Sequence, residues 1–575
     1  MPFRIIAAAI AVALLVIAGC EKQKALPVAV APAVTRQADP SPKVTIPETG
    51  GIVFRDRTAE SQIRFAYRND DEHSDFSIVE SLGGGVAIFD FDQDGRKDVL
   101  LPGGGLFGDR QTSGLPSSLF RQIAVWRFVD VTGPALIGPS RHYSHGTAIA
   151  DCNEDGFDDV LITGFGGLTL YQNQGDGSFR DVTAESKLDD RLWSSSAAWG
   201  DFDGDGVLDL YVAHYVDWSF DKHPLCEGPA GHPRDVCPPR QFNGLPDTIY
   251  FGKGDGEFDD ATAKAGLQPD GKGLGVVAAD IDLDGDLDVY VANDTVGNFL
   301  YQNDGRGHFE DISLTSGTAF SDRGTPDGSM GVDVGDYNGD GLPDIWVTNY
   351  ERENNALYRN LGNGIFRHVS QATGMFAISG MYVGWGTRFI DADLDGDEDL
   401  FVSNSHAIRF SQDTPRLQRP LMLENANGVR FVNVTERSGE YPSSAHAGRG
   451  VATGDLDGDG DEDIVVSHLN ELAAVLSNES TPKRNWFVIR LVGTSSARSA
   501  IGACAVARIG DKSMTRQIRG GSSYLSASDK SLHFGCDSAS QIDELTVTWI
   551  SGGRVVLHNI PCNQVVTIVE PKLVQ

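Results

Sequence analysis

Seven stretches of this 575-residue sequence follow one pattern, D-x-[DN]-x-D-G-x-x-D. Positions 1, 3, 5 and 9 carry Asp90, Asp92, Asp94 and Asp98 in the first copy, and Asp151, Asn153, Asp155 and Asp159 in the second. The third has Asp201, Asp203, Asp205 and Asp209, and the fourth Asp280, Asp282, Asp284 and Asp288. Asp336, Asn338, Asp340 and Asp344 follow, then Asp391, Asp393, Asp395 and Asp399, and finally Asp455, Asp457, Asp459 and Asp463. Oxygen donors at this density are the chemistry of a hard divalent cation, and calcium takes six to eight oxygens at about 2.3–2.6 Å. Alternate residues of a tight loop aim their carboxylates at one centre. A glycine at position 6 turns the chain without steric cost. The Asp at position 9 reaches back from the next segment and replaces the Glu that an EF-hand carries at position 12, where the loop from Asp201 has Val212. Magnesium suits the pattern less, because it keeps its waters. Asp and Asn also build plain turns, a reading that stays open, above all for the copies with Asn153 and Asn338. The expected cofactor is Ca²⁺, up to seven ions, which would add fourteen positive charges to a formal net charge of −34.

The residues around each loop read as strands. A short apolar stretch opening on a small residue precedes each copy ("GVAIF", "GTAIA", "SAAWG", "GVVAA") and a β-branched one follows ("VLLPG", "VLITG", "LYVAH", "VYVAN"). Further on comes a glycine-rich hairpin, as in "LYQNQGDGSFRDVT" at 170–183 and "LYQNDGRGHFEDIS" at 300–313. Each unit of about 50–60 residues therefore carries four strands. Seven such units predict an all-β chain folded as a seven-bladed β-propeller over 50–480, with a small β domain over 481–575; a β-solenoid is the alternative. The seventh unit lacks its fourth strand, and "GIVFRDRTAE" at 51–60 has that strand's sequence. Residues 51–58 are thus expected to complete the last sheet and close the ring.

The acidic balance excludes nucleic acid as a partner, since phosphate recognition needs a basic surface. The opening "MPFRIIAAAIAVALLVIAGC" has the charge, the short apolar run and the small residues before a cysteine that resemble a bacterial lipobox. This predicts a signal peptide over 1–19, lipidation of Cys20, a Pro/Ala-rich tether over 20–49, and an exported protein held on the membrane by a lipid. Glu21 in place of Asp leans toward the outer membrane. Export permits disulfides, and the Pro/Gly segment "LCEGPAGHPRDVCPP" predicts one between Cys226 and Cys237. Cys536 and Cys562 could pair as well.

Strand direction places all seven Asp loops on one face. The opposite mouth then collects a ring of small residues (Gly85, Gly146, Ser196, Gly275, Gly331, Gly386, Gly450) and a ring containing His214, Asn293, Asn349, Asn404 and His468. Those five side chains could present donors to a ligand in the channel, or satisfy turn backbone. The sequence holds no G-x-S-x-G, no HExxH and no phosphate-binding loop.

The blades resemble the FG-GAP/VCBS repeats of integrin-like propellers. The C-terminal region, with "NWF", "AIGA", "RGGSSY", "LHFG" and "WISGG" in order, looks like an ASPIC/UnbV domain. The resemblance covers nearly everything from 51 to 572. It implies an exported, calcium-binding adhesion or interaction protein, and no settled biochemical activity. The expected function is non-enzymatic binding of a protein or polysaccharide at the cell envelope. The alternatives are a lyase or hydrolase using the mouth opposite the Asp loops, and a scaffold that docks through the C-terminal domain.

Overall fold

The computed structural model describes residues 51–572, apart from Ser74 and Pro139. The expected signal peptide, Cys20 and the tether to residue 49 lie outside the described residues.

Seven four-stranded antiparallel sheets make up the region from Phe54 to Asn478. Their first strands are Ala87–Phe89, Tyr143–Ala150, Ser194–Gly200, Gly273–Ala279, Val332–Gly335, Gly384–Ile390 and Gly448–Gly454. Each of these touches the next in chain order, and the seventh touches the first, so the sheets form a closed β-propeller with the first strands around the axis. Strands buried on both faces read as near-continuous apolar runs, and all seven first strands except Gly335 are fully buried. Closure follows the sequence reading. Phe54–Asp56 is the fourth strand of the seventh sheet, in register Phe54↔Asn478 and Asp56↔Leu476. One-turn helices such as Thr262–Ala265 and Ser313–Ser316 follow several fourth strands. One hairpin was not expected: Gly105–Gly108 pairs with Gln111–Gly114 as an excursion from the first sheet.

Residues 485–569 fold as two small sheets. Asn485–Val492 lies between Leu532–Asp537 and Gln564–Val569, and Cys504–Ile509 lies between Lys512–Gln517 and Gln541–Thr548. This domain sits on the Asp-loop face of the ring, with its basic residues on the loops' acids. Lys483 reaches Asp459 and Asp461, both at 2.9 Å, Lys512 reaches Asp397 at 2.7 Å, and Arg484 reaches Asp393 at 2.6 Å.

Between the two small sheets runs "RGGSSYLSASDK", residues 519–530. It enters the axis and fills it. It bonds the first strand of every sheet: Ile88 N donates to Ala527 O, Thr147 N to Leu525 O, and Leu525 N to Ser196 Oγ. Ala278 exchanges backbone bonds with Gly520 and Val332 with Ser523, while Thr387 N donates to Ser523 Oγ and Thr453 N to Ser528 Oγ. An axial polypeptide that offers a carbonyl, amide or hydroxyl to each inner strand satisfies backbone groups the narrowing ring cannot pair among themselves. The small-residue ring of the sequence reading is what makes room for it. A Cβ on Gly85 would lie 2.1 Å from Leu525 O, and one on Gly275 would lie 3.2 Å from Ser523 O.

The ring of Asn and His is corrected by the structure. All five side chains are buried and each bonds a nearby turn or neighbouring side chain, Asn404 through its Nδ2 alone. His214 contacts Pro246 O at 2.7 Å through Nδ1 and Asp190 Oδ2 at 2.8 Å through Nε2. Asn293 donates to Gly297 O at 2.9 Å, Asn349 to Asn354 O at 2.7 Å, and Asn404 to Arg419 O at 2.9 Å. His468 contacts Leu472 O at 2.6 Å and Tyr441 Oη at 2.7 Å. Side chains alternate across a strand, so the residue after a ring position points the other way, and three of these, Tyr215, Asp294 and Tyr350, line a cavity at the mouth.

Candidate metal loops and ligand mouth

The loop from Asp201 shows how sequence builds a donor cage. Asp201 directly follows the first strand, and its two carboxylate oxygens accept from Gly204 N, Asp205 N and Gly206 N at 2.9–3.1 Å. Gly206 sits at φ +89°, a conformation glycine adopts freely, and turns the chain into the second strand. Asp209 begins that strand, fully buried. Its Oδ2 accepts from Phe202 N at 2.8 Å and its Oδ1 from Gly252 N, on the third strand, at 2.9 Å. The position-9 Asp thus ties loop, first turn and third strand together, and the same pair of bonds recurs at Asp98, Asp159, Asp288, Asp399 and Asp463.

In five loops three carboxylates bring one oxygen each within 4.8 Å of one another: Asp90, Asp92 and Asp94; Asp201, Asp203 and Asp209; Asp280, Asp282 and Asp284; Asp391, Asp393 and Asp395; and Asp455, Asp457 and Asp463. In the other two, from Asp151 and Asp336, an amide stands at position 3, and Asn153 donates to Asp155 at 2.9 Å, using an oxygen a cation would want. The residues fit a hard cation on two further counts. Buried carboxylate oxygens with no hydrogen bond point into loops at Asp92, Asp280, Asp344 and Asp391. Burial, reinforced by the neighbouring carboxylates, pushes Asp98 and Asp209 up to about 8 and Asp344 up to about 9. A divalent ion would hold these groups ionised.

The open mouth lies at the other end of the strands. The insertion from the third sheet, residues 215–247, folds over it, closed by the Cys226–Cys237 disulfide with Cα atoms 5.3 Å apart. Asp235 of the insertion accepts from Arg409 N at 3.3 Å and Phe410 N at 3.1 Å, which ties it to the loop after the sixth sheet's second strand. Cys152, Cys504, Cys536 and Cys562 are free thiols, so the expected second pairing is not made. Cys226→Ala with Cys237→Ala removes an 11-residue closure worth roughly 2–3 kcal/mol to the insertion. Limited proteolysis should then cut within 227–236 at least tenfold faster, while the propeller core survives.

Beneath the insertion lies a cavity of about 230 Å³. Its walls include Tyr215, Asp294 and Tyr350, each the residue directly after a position of the predicted ring. The sequence reading missed them by one residue, although "VAND" and "VTNY" carried the signal. The axial plug abuts the cavity: Trp385 lines it and meets Tyr524 edge-on at 4.9 Å.

A closed ring of four-stranded sheets strung with Asp loops, capped by a two-sheet domain, defines an FG-GAP β-propeller with a C-terminal ASPIC/UnbV domain. The comparison of sequences agrees, matching the FG-GAP-like repeat over 151–212, 242–291, 280–347 and 336–402 and the ASPIC and UnbV domain over 493–574. The chain belongs to this FG-GAP/UnbV family. It is similar to cartilage acidic protein 1 of Xenopus tropicalis (26% identity over 428 residues, 71% of this chain and 61% of that protein). The Homo sapiens protein of the same name is 25% identical over 518 residues, 85% of this chain and 72% of the relative. Solved structures that align with this chain include YCF48 bound to D1 peptide (TM-score 0.39, 7% identity, 76% of this chain and 98% of that one). Another is an Agrocybe aegerita lectin that recognises terminal N-acetylglucosamine (TM-score 0.36, 16% identity, 69% and 94%).

Proposed function

We propose that this protein is a calcium-stabilised, non-enzymatic binding module, exported and lipid-anchored at Cys20, whose mouth opposite the Asp loops takes a protein or polysaccharide partner at the cell envelope. One observation carries the reading. The C-terminal domain occupies the Asp-loop face and its segment 519–530 fills the axis, which leaves the mouth with its 230 Å³ cavity as the open end of the ring. In this reading the Asp loops hold Ca²⁺ for structure. Asp201, Asp203 and Asp209, with their counterparts in the other loops, supply the oxygens, and the ion neutralises carboxylates that burial would otherwise protonate. Apolar plugging of the axis by Tyr524 and Leu525, both fully buried, favours binding over a reaction centre in the channel.

The test is a screen of envelope glycans and envelope proteins against the full chain, with and without calcium. Binding that needs calcium and is lost when the mouth is altered supports the reading. Binding that survives mouth substitutions but is lost on removing the C-terminal domain would favour the scaffold alternative. For the anchor, Cys20→Ala should abolish metabolic labelling with palmitate and shift the protein from the membrane to the soluble fraction. Unchanged fractionation overturns the anchor.

A further inference from the structure

The mouth cavity has chemistry more specific than "a partner". Asp294 and Glu353 each have one carboxylate oxygen anchored, Asp294 Oδ2 accepting from Tyr215 Oη at 2.6 Å and Glu353 Oε2 from Gly328 N at 2.5 Å. Among the described residues nothing donates to Asp294 Oδ1 or Glu353 Oε1, so each carboxylate is fixed in place with a free acceptor. Ser81 and Thr295 add two hydroxyls that line the cavity and find no hydrogen-bond partner in the protein. Ser81 is more than nine-tenths buried, and an unpaired hydroxyl there costs about 1–3 kcal/mol. Thr295 holds φ +64°, a left-handed conformation that a β-branched residue rarely keeps; strain of this kind concentrates where a side chain must be presented. Arg240, exposed on the rim, makes no ion pair among the described residues and adds free guanidinium donors.

Asp294 and Glu353 share the cavity lining with the single guanidinium of Arg240. Lys272, outside the lining and tied to Pro239 O at 2.9 Å, also acts on Asp294, and Arg323, which acts on Glu353, is itself paired with Asp327 at 3.1 Å. Counted with these neighbours the site carries no net charge, so it has little preference for an anion or a cation. It instead offers free acceptors, free hydroxyls and guanidinium donors side by side, between apolar walls formed by Leu82, Met330 and Ile408. A ligand that matches this must both donate and accept at neighbouring positions and present C–H faces between them. The disulfide and the Asp235 contacts hold the wall in place before anything binds, which reduces the ordering cost.

We propose that this cavity is a saccharide site, taking one or two uncharged sugar residues of a glycan chain with their hydroxyls shared among Asp294, Glu353, Ser81, Thr295 and Arg240. This rests on the reading that the mouth is the binding face. Calcium-loaded full chain is titrated by saturation-transfer NMR with glucose, galactose, mannose, N-acetylglucosamine and their β-1,4-linked dimers, and with glucuronate and glucosamine as charged counterparts. Arg240→Ala and Glu353→Gln are run beside it, with melting temperature as the control for folding. A neutral sugar should bind better than its charged counterparts. Each variant should weaken it about tenfold, the equivalent of one charge-assisted hydrogen bond, with the melt unchanged. Preference for the charged counterparts, indifference to both variants, or no binding by any sugar overturns the saccharide assignment. If no sugar binds but a protein found in the envelope screen is lost on both variants, only the ligand class falls. If no ligand responds to either variant, the mouth reading falls with it.

Discussion

Excess chelator should lower the melting temperature of this protein by roughly 10 °C, and added calcium should restore it. The size follows from the loops. Five of them gather three carboxylates each, and an ion held at a hundred times its Kd stabilises the folded state by about 2.7 kcal/mol per site. For a folded region of this size, each kcal/mol moves the midpoint by about 1 °C. The loops are also where the chain has most to lose. Without the ion the carboxylates of Asp280, Asp282 and Asp284 repel one another over the same few ångströms, and the buried Asp288 behind them has its pKa raised well above the carboxylate range, chiefly by burial. Magnesium should restore little of the loss, because it gives up its waters reluctantly. Differential scanning calorimetry checks this directly, and a melt unmoved by chelator would refute the metal reading of the loops. Asp209→Ala should cost more than Asp205→Ala. Asp209 is wholly buried and bridges to the third strand through Gly252, whereas Asp205 is exposed.

How much of this could be read from the sequence depended on what each residue's neighbours in the chain could reveal. The D-x-[DN]-x-D-G-x-x-D copies and the strands flanking them are local, so ring, loops and the closure through Phe54–Asp56 were all legible. The disulfide was legible because Cys226 and Cys237 share one short Pro/Gly loop. The residues that line the mouth cavity are not the ones the strand count picks out. Counting strand length from the Asp loops reaches Asn293 and His214 at the strand ends, and alternation turns those side chains toward the turns while the next residues, Asp294 and Tyr215, line the cavity. Glu353 and Arg240 lie on connections whose course no strand period dictates, and Ser81 comes from a short 3-10 helix before the first sheet. The axial role of "RGGSSYLSASDK" had no local signature at all. Its partners lie up to about 440 residues away in sequence, and its run of Gly and Ser reads in isolation as an ordinary loop.

That segment sets the second large effect. Substituting Gly85 by Val should uncouple the C-terminal domain from the ring. A Cβ at Gly85 would lie 2.1 Å from Leu525 O, 2.9 Å from Gly146 Cα and 3.0 Å from His145 O, all backbone, so no side-chain rotation can relieve it. Either the first strand retreats from its neighbour or the plug leaves the axis. The plug is the weaker party, because it is one chain with no second strand to hold it. Its departure strands the backbone groups of Thr147, Val332 and Ala278 that it satisfied and uncovers Tyr524 and Leu525, which are fully buried. Removing a buried aromatic of that size alone costs about 3–5 kcal/mol, so Tyr524→Ala is the milder companion. The wild-type chain should melt in one transition. Gly85→Val should show two, the C-terminal domain melting first, and trypsin should cut at Lys483 or Arg484, whose side chains are held on Asp461 and Asp393 while the domain is seated. Tyr524→Ala should lower the single transition without dividing it, because the plug backbone and its bonds to the inner strands remain. If Gly85→Val melts as one unit at the wild-type temperature, the axis is not the joint between the two domains, and the ion pairs around the Asp loops alone hold them together.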